Sequence, residues 1–181
     1  MKSKIFTLLF LFVGFFSLSI MAQTPQNWTE SLYNADLTST IEIEKTIVNE
    51  GSTSIKYTFT DDGTPYLICD TFAVTPDASF TFDFDFYVPD DKSEITTRIY
   101  FYEENGTYIS RLTSEGLTNN PSWQTITQTG TVPSNATKAY VLIRMLTGTG
   151  WDGSATYYAD NAVYTEGGGT DNLIVNGGFE H

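Results

Sequence analysis

The chain has 181 residues, with 22 acidic against 9 basic side chains and a net charge of −13 at neutral pH. Phosphate recognition needs a cationic surface, so this balance argues against nucleic acid and anionic membranes as partners. It also disfavours strongly anionic polysaccharides, unless a local arginine overrides a field that salt screens within about 8 to 10 Å. The single cysteine, Cys69, precludes an intrachain disulfide, and the single histidine, His181, leaves no basis for a histidine triad or a histidine-ligated zinc site.

In chain order, residues 1–22 read as a secretory signal peptide: Lys2 and Lys4 give the positive start, 5–16 is almost wholly apolar, and 17–22 is smaller and more mixed. The apolar run is too short to cross about 30 Å of hydrocarbon. The expectation is a secreted protein, extracellular or at the cell surface, with no membrane insertion after signal removal. Residues 23–166 suffice for one domain with its own core.

Strand signals follow over 40–47, 54–60, 66–74, 79–88, 95–103, 107–113, 123–131, 138–147 and 155–164. These runs are rich in β-branched and aromatic residues and are separated by turn chemistry such as Asp61-Asp62-Gly63 and Pro89-Asp90-Asp91. The run 79–88 alternates: Phe80, Phe82, Phe84, Phe86 and Val88 share one parity, and Thr81, Asp83, Asp85 and Tyr87 the other. Successive strand side chains point to opposite faces, so the phenylalanines require an opposing layer, and tyrosines, aspartates and arginines are left to decorate the outside. The predicted fold is all-β, an antiparallel two-sheet β-sandwich of jelly-roll type.

Asn105-Gly106 predicts a tight type I′ hairpin. Counting back from it, Ile99 and Phe101 fall on the apolar parity, and Arg98, Tyr100 and Tyr102 on the other. In 138–147 both parities are largely apolar, which places that strand at the centre of its sheet, with Arg144 the unusual residue. After Glu166 the run 167–171 reads as a glycine-rich linker. Residues 172–181 then read as a short apolar strand and a glycine turn that open a further, truncated module; a disordered tail or an extra edge strand is the alternative.

Residues 172–180, NLIVNGGFE, resemble the start motif of carbohydrate-binding modules of the family 4, 9 and 22 (CenC-like) type, in the galactose-binding-like superfamily. The body of the chain resembles the remainder of such a module, through Trp28, the loop Glu50-Gly51-Ser52, the segment Ser122-Trp123-Gln124 and the closing run Tyr158-Ala159-Asp160-Asn161. It lacks its own copy of the start motif. The resemblance implies a structural calcium ion held in part by an acidic residue of the start motif and by the aspartate of the closing strand, which here is Asp160; Glu50 is a loop acid placed to contribute. The alternative for Asp160 is a strand cap accepting backbone hydrogen bonds.

Sugar recognition by a β-sandwich uses flat aromatic faces together with carboxylate, amide and guanidinium groups. Asp83, Asp85 and Tyr87 on one strand and Arg98, Tyr100 and Tyr102 on the next are expected to line one concave sheet, with Tyr140 and Arg144 reaching it from another. The alternative is cross-strand pairing of aspartate with arginine on a solvated face. Trp123 is expected in the core, whereas Trp151, between glycines in the 148–153 loop, is the better ligand candidate, with packing over a sheet edge the competing role. Asp83 and Asp85 stand at a separation compatible with glycoside hydrolysis, but nothing apolar is in place to make one of them an acid. No catalytic residue is assigned. The expected function is a secreted, non-catalytic carbohydrate-binding module that binds a polysaccharide or oligosaccharide and is tethered to further modules, bringing an attached enzyme or surface protein to its substrate. A sugar-free adhesive spacer and a secreted glycoside hydrolase or polysaccharide lyase component are the alternatives.

Overall fold

A computed structural model of the chain describes residues 24–32, 38–60, 63–117 and 122–180. The expected signal peptide lies outside them. Among the described residues eleven strands form two antiparallel sheets. The first sheet is ordered β1 (Trp28–Leu32), β4 (Pro65–Cys69), β10 (Lys138–Thr147), β7 (Ser93–Tyr102) and β8 (Tyr108–Thr113), with the short β5 (Phe72–Ala73) also on β10. The second is ordered β2 (Thr38–Glu44), β3 (Ser54–Thr60), β11 (Ser154–Glu166), β6 (Ser79–Tyr87) and β9 (Gln124–Thr131). This is the expected two-sheet sandwich.

The alternation along β6 does what its period demands: Phe82, Phe84, Phe86 and Val88 are wholly buried between the sheets. They share one core with Ile95, Ile99 and Phe101 of β7 and Val141, Ile143 and Met145 of β10, all of them buried. β10 is central in its sheet, as its two apolar parities require, and Leu142 on its outer parity is 6% exposed.

Several local expectations are corrected. The run 66–74 breaks into β4 and β5 at Asp70, whose N–H donates to the Asn27 carbonyl at 2.8 Å. β2 ends at Glu44, because the Glu44 carboxylate accepts the N–H groups of Lys45, Thr46 and Ile47 and pulls 45–47 out of the ladder. The β7–β8 hairpin is not type I′. Only Gly106 has positive φ, and the N–H of Gly106 donates to Glu103, which makes a three-residue loop with a register shift at Phe101/Tyr102. Nor are all tyrosines outside: Tyr57, Tyr157 and Tyr164 are fully buried in the core.

The largest correction concerns 172–180. These residues form turns, not a strand, and they close this sandwich instead of standing apart from it. Ile174 is 3% exposed and Phe179 is wholly buried. β11 carries a bulge between Asp160 and Val163, where it leaves the β6 ladder. The freed backbone groups of Ala162 turn to the segment: its N–H donates to the Gly177 carbonyl at 2.8 Å, and its carbonyl accepts from the Asn172 amide at 2.9 Å. A Cβ on Gly177 would lie 1.9 Å from that same carbonyl, so only glycine fits here. The supposed linker is likewise tied down, since Gly167 donates its N–H to Ser79 at 2.8 Å.

Candidate functional site

Sequence reasoning put Asp83, Asp85, Tyr87, Arg98, Tyr100 and Tyr102 on one face. The structure divides them. β6 and β7 are successive in the chain but belong to opposite sheets, so the outer side chains of β6 and those of β7 point away from each other through the full thickness of the sandwich. Pairing of these aspartates with Arg98 is therefore impossible.

On the outer face of the β6 sheet, Asp85 is 6% exposed and accepts hydrogen bonds from the Asn49 amide at 2.8 Å, the Asn161 amide at 3.1 Å and the Thr125 hydroxyl at 2.5 Å. Asp83 accepts from the Thr127 hydroxyl at 2.6 Å. Asp85 thus works as a tie between β6, β9, β11 and the loop after β2, with its lone pairs committed to protein donors. Tyr87 stacks on Tyr158 with ring centroids 5.6 Å apart. Trp123, expected in the core, is half-buried on this face, tilted against Tyr87 at 6.1 Å.

The outer face of the β7 sheet gathers the rest. Tyr100 lies opposite Tyr140 in the β7–β10 ladder, and their rings stack at 4.9 Å with 15° between planes. Tyr102 stacks on Tyr140 at 5.7 Å, and Tyr108 closes the group edge-on to Tyr102 at 5.8 Å. Tyr108 went unnoticed in the sequence because it opens β8 just beyond the hairpin, where the register shift hides its parity. A depression of about 260 Å3, lined by Thr71, Tyr102, Gly106, Lys138 and Tyr140, lies at the hairpin end of this group.

Beside the tyrosines stand arginines. Arg111, also missed in the sequence, faces Tyr100 from β8. Arg98 lies opposite Leu142, and Arg144 opposite Thr96 and Tyr66. Burial pushes the Tyr100 phenol up, but hydrogen bonds from the Arg111 and Arg98 guanidinium groups outweigh it and hold its pKa below the usual tyrosine value. The Nε atoms of Arg98 and Arg144 are buried without a hydrogen-bond partner. This face therefore offers a flat aromatic platform flanked by directed donors.

Trp151 does not project as a ligand platform. Its indole stacks on the buried Phe59 of β3 at 5.3 Å and packs against the core. Asp160 and Glu50, the expected calcium residues, are arranged as a cap. One Asp160 oxygen accepts the backbone N–H groups of Asn49 and Glu50, each at 3.0 Å, and the other accepts that of Asn161 at 2.8 Å. Burial raises the Asp160 pKa, and these three donors partly offset it. Glu180 shares a cleft of about 210 Å3 with Glu50 and Asp160, but its carboxylate is taken up by the N–H and hydroxyl groups of Ser52 and Thr53. Calcium takes six to eight oxygens, backbone carbonyls among them, and the carboxylate oxygens of Asp160 and Glu180 are here engaged by protein donors. Among the described residues no group of three or more carboxylate, histidine or cysteine side chains is gathered for a metal.

No family model matches the chain, and no curated protein matches it. Among solved structures it is similar to the enzymatically active domain of tailspike protein 4 of bacteriophage CBA120, at 16% identity and a TM-score of 0.60, over 78% of this chain and 19% of that one. It is similar to a structure described for the promiscuous specificity of carbohydrate-binding modules from the β-sandwich superfamily, at 20% identity and 0.59, over 79% of this chain and 58% of that one. It is also similar to the C-terminal family 22 carbohydrate-binding module of Clostridium thermocellum Xyn10B, at 15% identity and 0.53, over 82% and 91%. The chain thus spans about a fifth of the tailspike chain and 58% of the second. At these identities the likeness establishes the fold: the chain has the β-sandwich architecture found in carbohydrate-binding modules.

Proposed function

We propose that this domain is a non-catalytic carbohydrate-binding module whose site is the outer face of the β4–β10–β7–β8 sheet. The observation that carries the reading is the stacked pair Tyr100–Tyr140, extended by Tyr102 and bordered by Arg98 and Arg144. Aromatic rings on a sheet surface present the flat apolar faces on which pyranose rings stack, and guanidinium N–H groups without protein acceptors can take up sugar hydroxyls. Carbohydrate-binding modules among the solved structures of the same fold support this role. Assignment to the family 4, 9 and 22 type rests on the sequence resemblance of 172–180, Trp28, the loop at 50–52, the segment 122–124 and the closing run 158–161. Secretion and tethering to a partner enzyme or surface protein belong to the same proposal, with adsorption as the mechanism.

The test is affinity electrophoresis and calorimetry of the domain against soluble β-glucans, xylans, mannans and pectic polysaccharides. Tyr100→Ala and Tyr140→Ala are expected to abolish retardation, while Asp83→Ala and Tyr87→Ala on the opposite sheet leave it unchanged. Binding that survives the double tyrosine variant, or that disappears with Tyr87, overturns the assignment of the face.

A further inference from the structure

The chain contains three arginines, Arg98, Arg111 and Arg144, and the fold brings all of them to the proposed sugar face. Their places in the ladder are regular. Arg144 on β10 is level with Thr96 of β7, Arg98 is on β7 itself two positions further, and Arg111 on β8 is level with Tyr100, two positions further again. Diagonal neighbours of this kind on adjacent strands stand roughly 7 to 8 Å apart. The result is a diagonal row of three guanidinium groups across three strands, running alongside the tyrosine stack.

Among the described residues no carboxylate forms an ion pair with this row. The ion pairs among the described residues use lysines: Lys56 with Glu42, Lys92 with Asp152 and Lys138 with Glu104. No carboxylate among the described residues pairs with an arginine. Glu94 is the diagonal neighbour of Arg144 on the side away from Arg98, but its carboxylate rests against Gly116 and forms no ion pair with Arg144. In a chain of net charge −13, concentrating every arginine within about one Debye length of its neighbour, with no acid between, sets up a local field opposite in sign to that of the whole molecule. Two of the three carry a buried Nε–H with no acceptor. A neutral sugar hydroxyl can accept from one guanidinium N–H, but the planar fork of a guanidinium matches an oxyanion, which accepts two N–H bonds at once and offsets the repulsion between the cations.

We propose that the ligand of this face is an acidic glycan, one whose sugars carry carboxylate or sulfate groups that sit on the Arg144–Arg98–Arg111 row while the pyranose rings lie on Tyr100 and Tyr140. This rests on the carbohydrate-binding reading above. It reverses the expectation drawn from net charge alone, because screening lets the local arginines decide.

The experiment uses glycans matched in backbone and differing in charge: polygalacturonate against carboxyl-reduced polygalacturonate, alginate against its carboxyl-reduced form, and dextran sulfate against dextran. The carboxylate and sulfate arms separate the two sources of the anion. Expected is binding of at least one acidic member with at least tenfold weaker binding of its neutral counterpart, weakening as salt is raised. A tenfold or greater loss is expected in Arg98→Gln and in Arg144→Gln, with thermal melting confirming that each variant is folded. Arg98→Lys keeps the charge but not the fork and is expected to recover only part of the affinity. If a neutral β-glucan, xylan or mannan binds as well as any acidic glycan, the acidic-ligand proposal falls while carbohydrate binding stands. If no glycan of either kind binds, both fall.

Discussion

Trp28 and Phe179, near opposite ends of the described chain, meet ring to ring with centroids 5.1 Å apart, and the Trp28 indole N–H donates to the Asn176 carbonyl. The segment that carries Phe179 is thus a closing strap of the sandwich. It plugs the corner left by the β11 bulge and the loop before β3, and Thr53 donates its hydroxyl to the Phe179 carbonyl at 3.0 Å. Truncating a wholly buried phenylalanine removes its transfer energy and leaves a cavity, so Phe179→Ala is expected to cost about 3 to 5 kcal/mol. Urea denaturation measures it. A loss under about 1 kcal/mol would mean that the strap is not part of the folded body.

The strap also makes stability depend on pH. The side-chain and backbone donors of Ser52, joined by those of Thr53, lower the Glu180 pKa to about 2 from an ordinary 4.5. A carboxylate whose pKa is depressed on folding contributes stability above its unfolded value and loses it as pH falls through the folded one. The contribution of Glu180 is therefore present above about pH 4.5 and gone near pH 2. Asp160 acts in the opposite sense, since burial raises its pKa and protonation relieves the penalty on its charged form. Thermal melts of the native chain and Glu180→Gln should differ most at neutral pH and converge toward pH 2. A difference independent of pH would assign the effect to shape and not charge. Gly51 explains the close fit of this contact: it has a φ of +69°, and a Cβ there would lie 2.0 Å from a Glu180 oxygen.

Asp85 separates stability from binding. It is nearly buried and holds two amides and a hydroxyl from three other parts of the second sheet and its loops. Asp85→Ala leaves those donors without an acceptor, at a cost of about 3 kcal/mol. Glycan affinity, measured on the folded fraction, is expected to be unchanged because the proposed site lies on the other sheet. A parallel loss of affinity at constant stability would return Asp85 to the ligand set.

What was legible in the sequence follows from how local each signal is. The period of two along β6, and the double apolar parity of β10, fix which side chains turn inward, and these expectations held from Phe80 to Val88 and from Ala139 to Met145. Which sheet a strand joins is set by long-range pairing. β6 and β7 carry the same kind of polar parity, so nothing local revealed that Asp83 and Arg98 would end on opposite outer faces. Tyrosine is ambiguous for a different reason: its ring suits a core and its hydroxyl suits water, so Tyr57 and Tyr157 stack inside at 5.2 Å while Tyr100 and Tyr140 stack outside at 4.9 Å. Arg144 was visible as the unusual residue of an apolar strand, and Arg98 by its place on the polar parity of β7. Arg111, in the exposed edge strand β8, gave no such contrast.

Cys69 offers a probe of the β1–β4–β10 region that needs no change to the binding face. It is 4% exposed, its sulfur accepts the Val141 N–H at 3.1 Å, and burial pushes its thiol pKa up to about 12. The reactive thiolate is therefore almost absent at neutral pH, and reagent cannot reach the sulfur without opening β4 from its neighbours. β4 lies between β1 and the central strand, so that opening is expected to require global unfolding. Labelling by an aromatic disulfide reagent should be negligible in buffer and should rise with urea in step with the fluorescence-detected transition. Labelling that runs ahead of global unfolding would show that β1 detaches on its own, and would place the weak edge of the sandwich beside the strap that Trp28 holds.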